Sequence, residues 1–444
     1  MACKPQEKQE EVPVEEDTFA RILEAQEINV ATLSGSMTYF MYKGEEMGYE
    51  YELIRGFADN HRLRLNLYVA ENMNRLLEML DSLEVDLITY NIPITLEGKE
   101  KYIYCGREVQ NEQVLVQRNA KDSLITDVTA LVGRDIWVIR DSKYHKRLEN
   151  LNDELGGGIH IHIIEEDSIS REDLIEMVSE GKISGTISDF DLARLNRTYY
   201  SNLDIRLQVS HPQRASWAVR NTSASLAQAI DEWFAQNENT PSYQARIKRY
   251  FELSKLPGDT PVPLIGPGQI SPYDDLFKQY AKNIDWDWRL LASIAFQESK
   301  FHTDKVSWAG ATGLMGLMPR TARAFGITHE EMTQPEPSIR AATAFIGRLC
   351  RSFSKIENEE ERLKFIVASY NAGSGHIYDA QALAEKYGKD KYLWSDVEEY
   401  LKLKNHPDYY NDPVVRNGYF RSKETVHYVG AVIERWHYYQ EKVK

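Results

Sequence analysis

The chain reads as a multidomain protein, an α/β region followed by an all-α region, and three observations carry that reading. Between residues 27 and 253, short apolar runs of strand period take turns with runs of helical period. At 254–268 four prolines and three glycines in fifteen residues break all periodicity. Beyond that break every apolar pattern has the helical period, and no strand is expected.

Taken in order, 27–32 reads as a strand, 50–60 as a helix, 63–69 as an alternating strand, 73–83 as a helix and 85–90 as a short apolar strand. That rhythm indicates a largely parallel sheet. A second set follows, with strands at 135–139, 159–164 and 183–188 and a helix at 171–181. His160 and His162 share one face of an alternating strand with polar neighbours, so they read as solvated rather than as a metal pair. After the break, helices are expected at 273–283, 289–300, 319–325, 338–353, 359–370 and 425–439. The expected organisation is a tether at 1–17, an α/β domain at 18–253, a linker at 254–270 and a helical domain at 271–444.

A length of 444 residues allows two or three domains, each with its own core. The balance of 53 basic against 68 acidic residues gives a net charge of −15, which argues against a nucleic-acid partner. No window approaches 18 consecutive apolar residues, so no spanning helix is expected. Cys105 and Cys350 read as buried free thiols. Cys3 differs, because it follows Met1-Ala2 and precedes a polar acidic segment that cannot pack. An Ala-Cys junction ahead of a flexible tether resembles the cleavage point of a bacterial lipoprotein; the alternative is a chance cysteine in a tail. The lipoprotein resemblance implies a lipid anchor at Cys3, the only expected contact with a membrane, and an outer-membrane protein facing the periplasm.

The residue that carries most chemistry is Glu298. Leu291, Ile294, Ala295 and Glu298 fall at i, i+3, i+4 and i+7, one stripe of a helix. A carboxyl on a buried stripe is poorly solvated, which raises its pKa and suits it to general-acid work. The alternative is a partly exposed glutamate at a helix end. Downstream, Gly310-Ala-Thr-Gly-Leu-Met-Gly-Leu-Met-Pro319 supplies small residues that let a substrate approach the backbone. A glycosidase usually pairs two carboxylates. Asp304 and the Glu330–Glu331 pair are poor partners on sequence grounds, so a single acid assisted by the substrate's own nucleophile is favoured.

Phe296-Gln-Glu-Ser-Lys-Phe301, Ser307, the glycine-rich segment, Ser369-Tyr-Asn-Ala-Gly373 and Glu424-Thr-Val-His-Tyr-Val429 together resemble the soluble lytic transglycosylase domain, which is related to goose-type lysozyme. The resemblance implies a lysozyme-like helical fold that cleaves the β-1,4 bond between N-acetylmuramic acid and N-acetylglucosamine in peptidoglycan strands, leaving 1,6-anhydro ends. It makes Glu298 the acid and then the base. Ser307 and Tyr370 would hold the saccharide, Asn371 and Tyr428 would shape the cleft, and Met315 and Met318 would either flank the sugar or belong to the core. No cofactor and no metal are implied. The family commonly carries Gln where this chain has Gly316, which removes one substrate hydrogen bond worth about 0.5–1.5 kcal/mol. The alternatives are a lysozyme-type hydrolase that uses water and a non-catalytic peptidoglycan- or solute-binding protein.

The α/β region resembles the two-lobed periplasmic solute-binding domains of amino-acid type, on Gly48 to Ala58, Asp86, Thr95-Leu-Glu97 and Gly181 to Asp189. By that resemblance Thr95 and Asp189 would meet a ligand, Asp189 at its amino group. Relatives place Arg after Thr-x-Glu to clamp a carboxylate, whereas this chain has Gly98, with Lys99 and Lys101 nearby. A free amino acid is therefore disfavoured; the expected partner is a muropeptide or its peptide stem, and the alternative is a domain that only spaces or docks the catalytic region.

Overall fold

The computed structural model describes residues 17–443 except 122, 166–168, 256–265 and 267. Cys3, the tether and most of the proline- and glycine-rich segment lie outside the described residues. The chain divides into two compact units: Met1–Leu33, Leu53–Gln110 and Gln213–Thr240 form one, and Ser34–Glu52, Asn111–Pro212 and Pro241–Lys444 form the other.

The first unit is built on a five-stranded sheet ordered Arg64–Ala70, Glu27–Leu33, Leu87–Pro93, Gln213–Arg220, Tyr102–Asn111. Glu27–Leu33 runs parallel to both of its neighbours, as the alternating pattern leads one to expect. Gln213–Arg220 returns antiparallel, with a register shift between Ser216 and Ala218. Helix Met73–Asp81 starts at Asn72, whose side chain accepts from the Arg75 amide, and buries Leu76 and Leu80 against Ala31 and Ile88.

Within the second unit lies another five-stranded sheet, ordered Leu203–Asp204, Gln113–Arg118, Gly185–Asp189, Asp135–Ile139, His160–Ile164. The last three strands are parallel and the first two run antiparallel to their neighbours. Helices Lys143–Glu154, Arg171–Glu180 and Phe190–Arg197 follow three of these strands, and Ser142 and Ser170 cap the first two. His162 stacks on Trp137 with ring centres 4.3 Å apart, and it and His160 both meet Asp135.

The rest of the second unit is helical. Its principal helices are Asp274–Ala281, Trp288–Ser299, Pro319–Ala324, Pro335–Ser352, Glu359–Ala372, Ser374–Lys386, Trp394–Leu403 and Lys423–Lys442. Leu291, Ile294, Ala295, Phe365 and Val432 belong to one core, all fully buried. Among the described residues, extended pairing in this region is confined to the isolated bridges Val306–Thr312 and Thr312–Leu317.

Several elements have no counterpart in the sequence reading, the following hairpin among them. Phe40–Tyr42 and Glu45–Met47 form an antiparallel hairpin, closed by Lys43 and Gly44 at φ 50° and 77°. Two consecutive residues in the left-handed region are what a tight type I′ turn demands, and glycine supplies the second without strain.

Candidate active site

Helix Trp288–Ser299 starts where Asp287 accepts the Arg289 amide at 3.0 Å. The same carboxylate accepts from Arg289 Nε at 2.8 Å, Trp436 Nε1 at 2.9 Å and Gln440 Nε2 at 3.1 Å. Burial opposes its charge, but those donors outweigh it and pull the carboxyl down to about 2. Asp287 thereby ties the helix to Lys423–Lys442. The helix ends at Ser299 because Lys300 and Phe301 both turn left-handed, at φ 51° and 68°.

Glu298 is therefore one residue from a sharp stop, with its side chain only 8% exposed. The adjoining glycine-rich turn is pinned from two sides. Ser299 Oγ donates to the Leu314 carbonyl at 2.8 Å, and the Tyr370 hydroxyl donates to the Met315 carbonyl at 2.7 Å. Tyr428, on the last helix, donates from its hydroxyl to Glu298 Oε1 at 2.9 Å.

Both Glu298 oxygens also accept from Lys43 Nζ, each at 3.2 Å, and the lysine side chain is equally buried. Lys43 sits at the tip of the hairpin, 255 residues away in sequence. Neighbouring hairpin residues make further contacts with the helical region. The Tyr42 ring lies 5.2 Å from Trp308, and its hydroxyl donates to Glu424 at 3.4 Å. Arg320 donates its amide to Glu45 at 3.0 Å and its guanidinium to the Gly44 carbonyl at 3.3 Å. His376 meets the Met41 carbonyl through Nε2 at 3.0 Å. Its tautomer follows from its other nitrogen: Lys404 Nζ stands 2.9 Å from Nδ1, and an ammonium can only donate, so Nδ1 accepts and the proton is on Nε2. Lys404 is fully buried and offsets its charge on Asp379 at 2.6 Å. Burial, joined by the Lys404 charge, holds His376 well below the ordinary histidine range. In this conformation both oxygens of Glu298 are engaged by its own chain.

Among the other expected site residues, Ser307 closes a turn with Ala311, donating its amide at 2.8 Å and accepting at Oγ from the Ala311 amide at 2.9 Å. Asn371 accepts from the Thr425 hydroxyl at 2.6 Å. Met315 is fully buried in the core, and Met318 is buried at the start of Pro319–Ala324. Glu424, read only as part of a motif, stands close enough to Glu298 for their charges to interact. It remains exposed to water although protein crowds it. Burial raises its pKa most; Lys43 opposes that shift and Glu298 adds to it.

Thr95 belongs to the first unit, where its hydroxyl accepts from the Gly98 amide at 2.9 Å and caps the helix Leu96–Lys101. Asp189 belongs to the second unit and is already occupied: Lys143 Nζ donates to it at 2.7 Å and the Tyr144 hydroxyl at 2.9 Å. Among the described residues no cluster of three or more His, Cys, Asp or Glu side chains is arranged to hold a metal.

The family model of the transglycosylase SLT domain matches residues 275–393, a span that takes in Glu298, its glycine-rich turn and Tyr370. That of bacterial extracellular solute-binding proteins, family 3, matches 28–253. Fold, acid and matches together define a peptidoglycan lytic transglycosylase that carries a solute-binding-type α/β region. A membrane-bound lytic murein transglycosylase F of Pseudomonas fluorescens (strain Pf0-1) is 30% identical over 421 residues, covering 94% of this chain and 85% of the relative. One of the same name from Desulfosudis oleivorans is 28% identical over 418 residues, with 94% and 90% covered. The chain belongs to this family, the membrane-bound lytic murein transglycosylases F. Substrate binding domain 2 of Lactococcus lactis GlnP is similar over 51% of this chain and 96% of that one, at 14% identity and a TM-score of 0.43.

Proposed function

We propose that the enzyme cleaves the bond between N-acetylmuramic acid and N-acetylglucosamine and closes a 1,6-anhydro ring on the muramic acid, with Glu298 as the single acid and base. The observation that carries this reading is a buried glutamate at the end of a helix, met by Tyr428 and facing a pinned glycine-rich turn. Glu298 protonates the leaving oxygen while the 2-acetamido group stabilises the cation. It then takes the proton of the C6 hydroxyl, whose oxygen attacks C1. Intramolecular attack replaces a bound water and benefits from proximity. Digestion of purified peptidoglycan followed by mass spectrometry tests this reading: anhydro ends, absent with Glu298→Gln, are expected. Ends one water heavier would overturn it in favour of hydrolysis. A specific observation speaks for that second reading, since Glu424 is a second carboxylate beside Glu298.

The α/β region, in the same reading, senses muropeptides and controls the hairpin that engages Glu298. Lys143 on Asp189 supports it. A free amino acid would have to displace that internal ammonium, whereas a muropeptide stem has its first amino group in an amide and brings no competing α-ammonium. Calorimetric titration of muropeptides into the full chain should give heat, and no heat at millimolar ligand would count against sensing. The enzyme works at the cell envelope as an outer-membrane lipoprotein, attached through a lipid on Cys3. Among the described residues no helix is long and apolar enough to cross a membrane. Incorporation of labelled fatty acid, abolished by Cys3→Ser, is the expected result.

A further inference from the structure

Gly316 is where this chain departs from the common family pattern, and sequence alone reads the departure as a lost substrate contact. The structure gives it another meaning. Gly316 has φ 59°, and its amide donates to the Gly313 carbonyl at 3.1 Å, closing a turn directly beneath the acid. A Cβ built there would lie 2.7 Å from Glu298 Cδ and 3.0 Å from Glu298 Cβ, with Oε2 nearer still. The turn cannot retreat easily, because Ser299 and Tyr370 hold the carbonyls of Leu314 and Met315 immediately before it. The flexible partner in any such clash is the carboxylate. A side chain at 316 would therefore rotate Glu298 out of the position in which both of its oxygens meet Lys43.

We propose that Gly316 sets the resting pose of the catalytic acid: the absent side chain leaves the space in which Glu298 is engaged by the hairpin lysine. Gly316 is a positioning residue, and it weights the balance between a held and a released acid. The inference rests on Glu298 being the acid and the hairpin restraining it.

The test uses the full chain with Gly316→Asn, because asparagine tolerates the left-handed backbone at this position and carries the amide group of the common glutamine. Gly316→Gln, Lys43→Ala and the Gly316→Asn/Lys43→Ala double variant complete the set. Glycan release from purified peptidoglycan is measured beside the protection of Lys43 from amine acetylation, which needs no activity. Expected results are a several-fold rise in basal rate with Gly316→Asn or Lys43→Ala, no further rise in the double variant, and faster acetylation of Lys43 in Gly316→Asn. Equal protection of Lys43, or rates that multiply in the double variant, would overturn the role of Gly316. An unchanged or lower rate for both Gly316 variants, with Lys43→Ala raised, would do the same and leave the restraining hairpin intact. If Lys43→Ala itself fails to raise the rate, the restraint reading fails and the proposal with it. Melting temperatures identify a variant that has lost its fold, in which case Lys43 acetylation in the other Gly316 variant decides.

Discussion

Two carboxylates of the second compact unit are each met by a lysine of the same chain, and the pairs are built differently. Glu298 and Lys43 are both 8% exposed and lie 255 residues apart in sequence. Asp189 and Lys143 are 46 residues apart, and that lysine is 44% exposed on the first turn of a helix. The exposed pair is screened by water and adds little. The buried pair is a large commitment, since removing one partner strands the other away from solvent. Lys43 moreover belongs to a segment, Ser34–Glu52, whose two ends both continue into the other compact unit. Similar ion pairs thus differ in what their loss would cost: the buried one leaves a charge stranded, the exposed one does not.

The comparison can be broken or sharpened by substitution. The largest effect belongs to Glu298→Gln, which removes the proposed proton donor and should lower cleavage by on the order of 10²–10⁴-fold in a turnover assay. Next comes Asp287→Asn, which loosens the helix that presents the acid. A carboxyl held at about 2 instead of 3.8 represents roughly 2 kcal/mol of stability. Because that value is depressed, the contribution is fully present above the unfolded value and is lost as pH falls from about 4 through 2. Denaturant melts between pH 2 and 6 should show this loss in the wild type and a flatter profile in the variant.

Removing the hairpin's backbone anchor has a smaller effect. His376→Phe should raise the basal rate a few-fold, less than Lys43→Ala, because it removes the hydrogen bond to Met41, together with the one accepted from Lys404, and leaves the ion pair of Lys43 with Glu298. His376→Gln keeps a donor near the Nε2 position and should remain close to wild type. Equal rates for both histidine variants would detach His376 from the hairpin. Lys143→Ala is expected to leave basal cleavage unchanged and to admit an amine-bearing ligand at Asp189, detectable by calorimetry with free amino acids.

How much of this could be read from the chain follows from the range of each signal. Helical period and a run of motifs locate Glu298 and Tyr428, because those signals are local and helix ends bring i, i+3, i+4 and i+7 together. The parallel strands are legible for the same reason. The antiparallel strands Gln213–Arg220 and Gln113–Arg118 are not, because their partners are chosen by tertiary pairing rather than by neighbours. Phe40-Met-Tyr-Lys-Gly-Glu-Glu-Met47 does contain a hairpin signal, a Lys-Gly turn between short runs. Nothing local in that segment says that its tip ends on a glutamate 255 residues away. The closeness of Glu424 to Glu298 is hidden likewise, since two helices far apart in sequence supply the two carboxylates.

The central claim is that one glutamate does the chemistry and that Lys43 holds it at rest. Its most direct test is the rate at which Lys43→Ala forms 1,6-anhydro ends on purified peptidoglycan, measured against the wild type in the absence of any added muropeptide. A several-fold faster rate, abolished by adding Glu298→Gln, is the expected result. A rate equal to or below the wild type in a folded variant would contradict it.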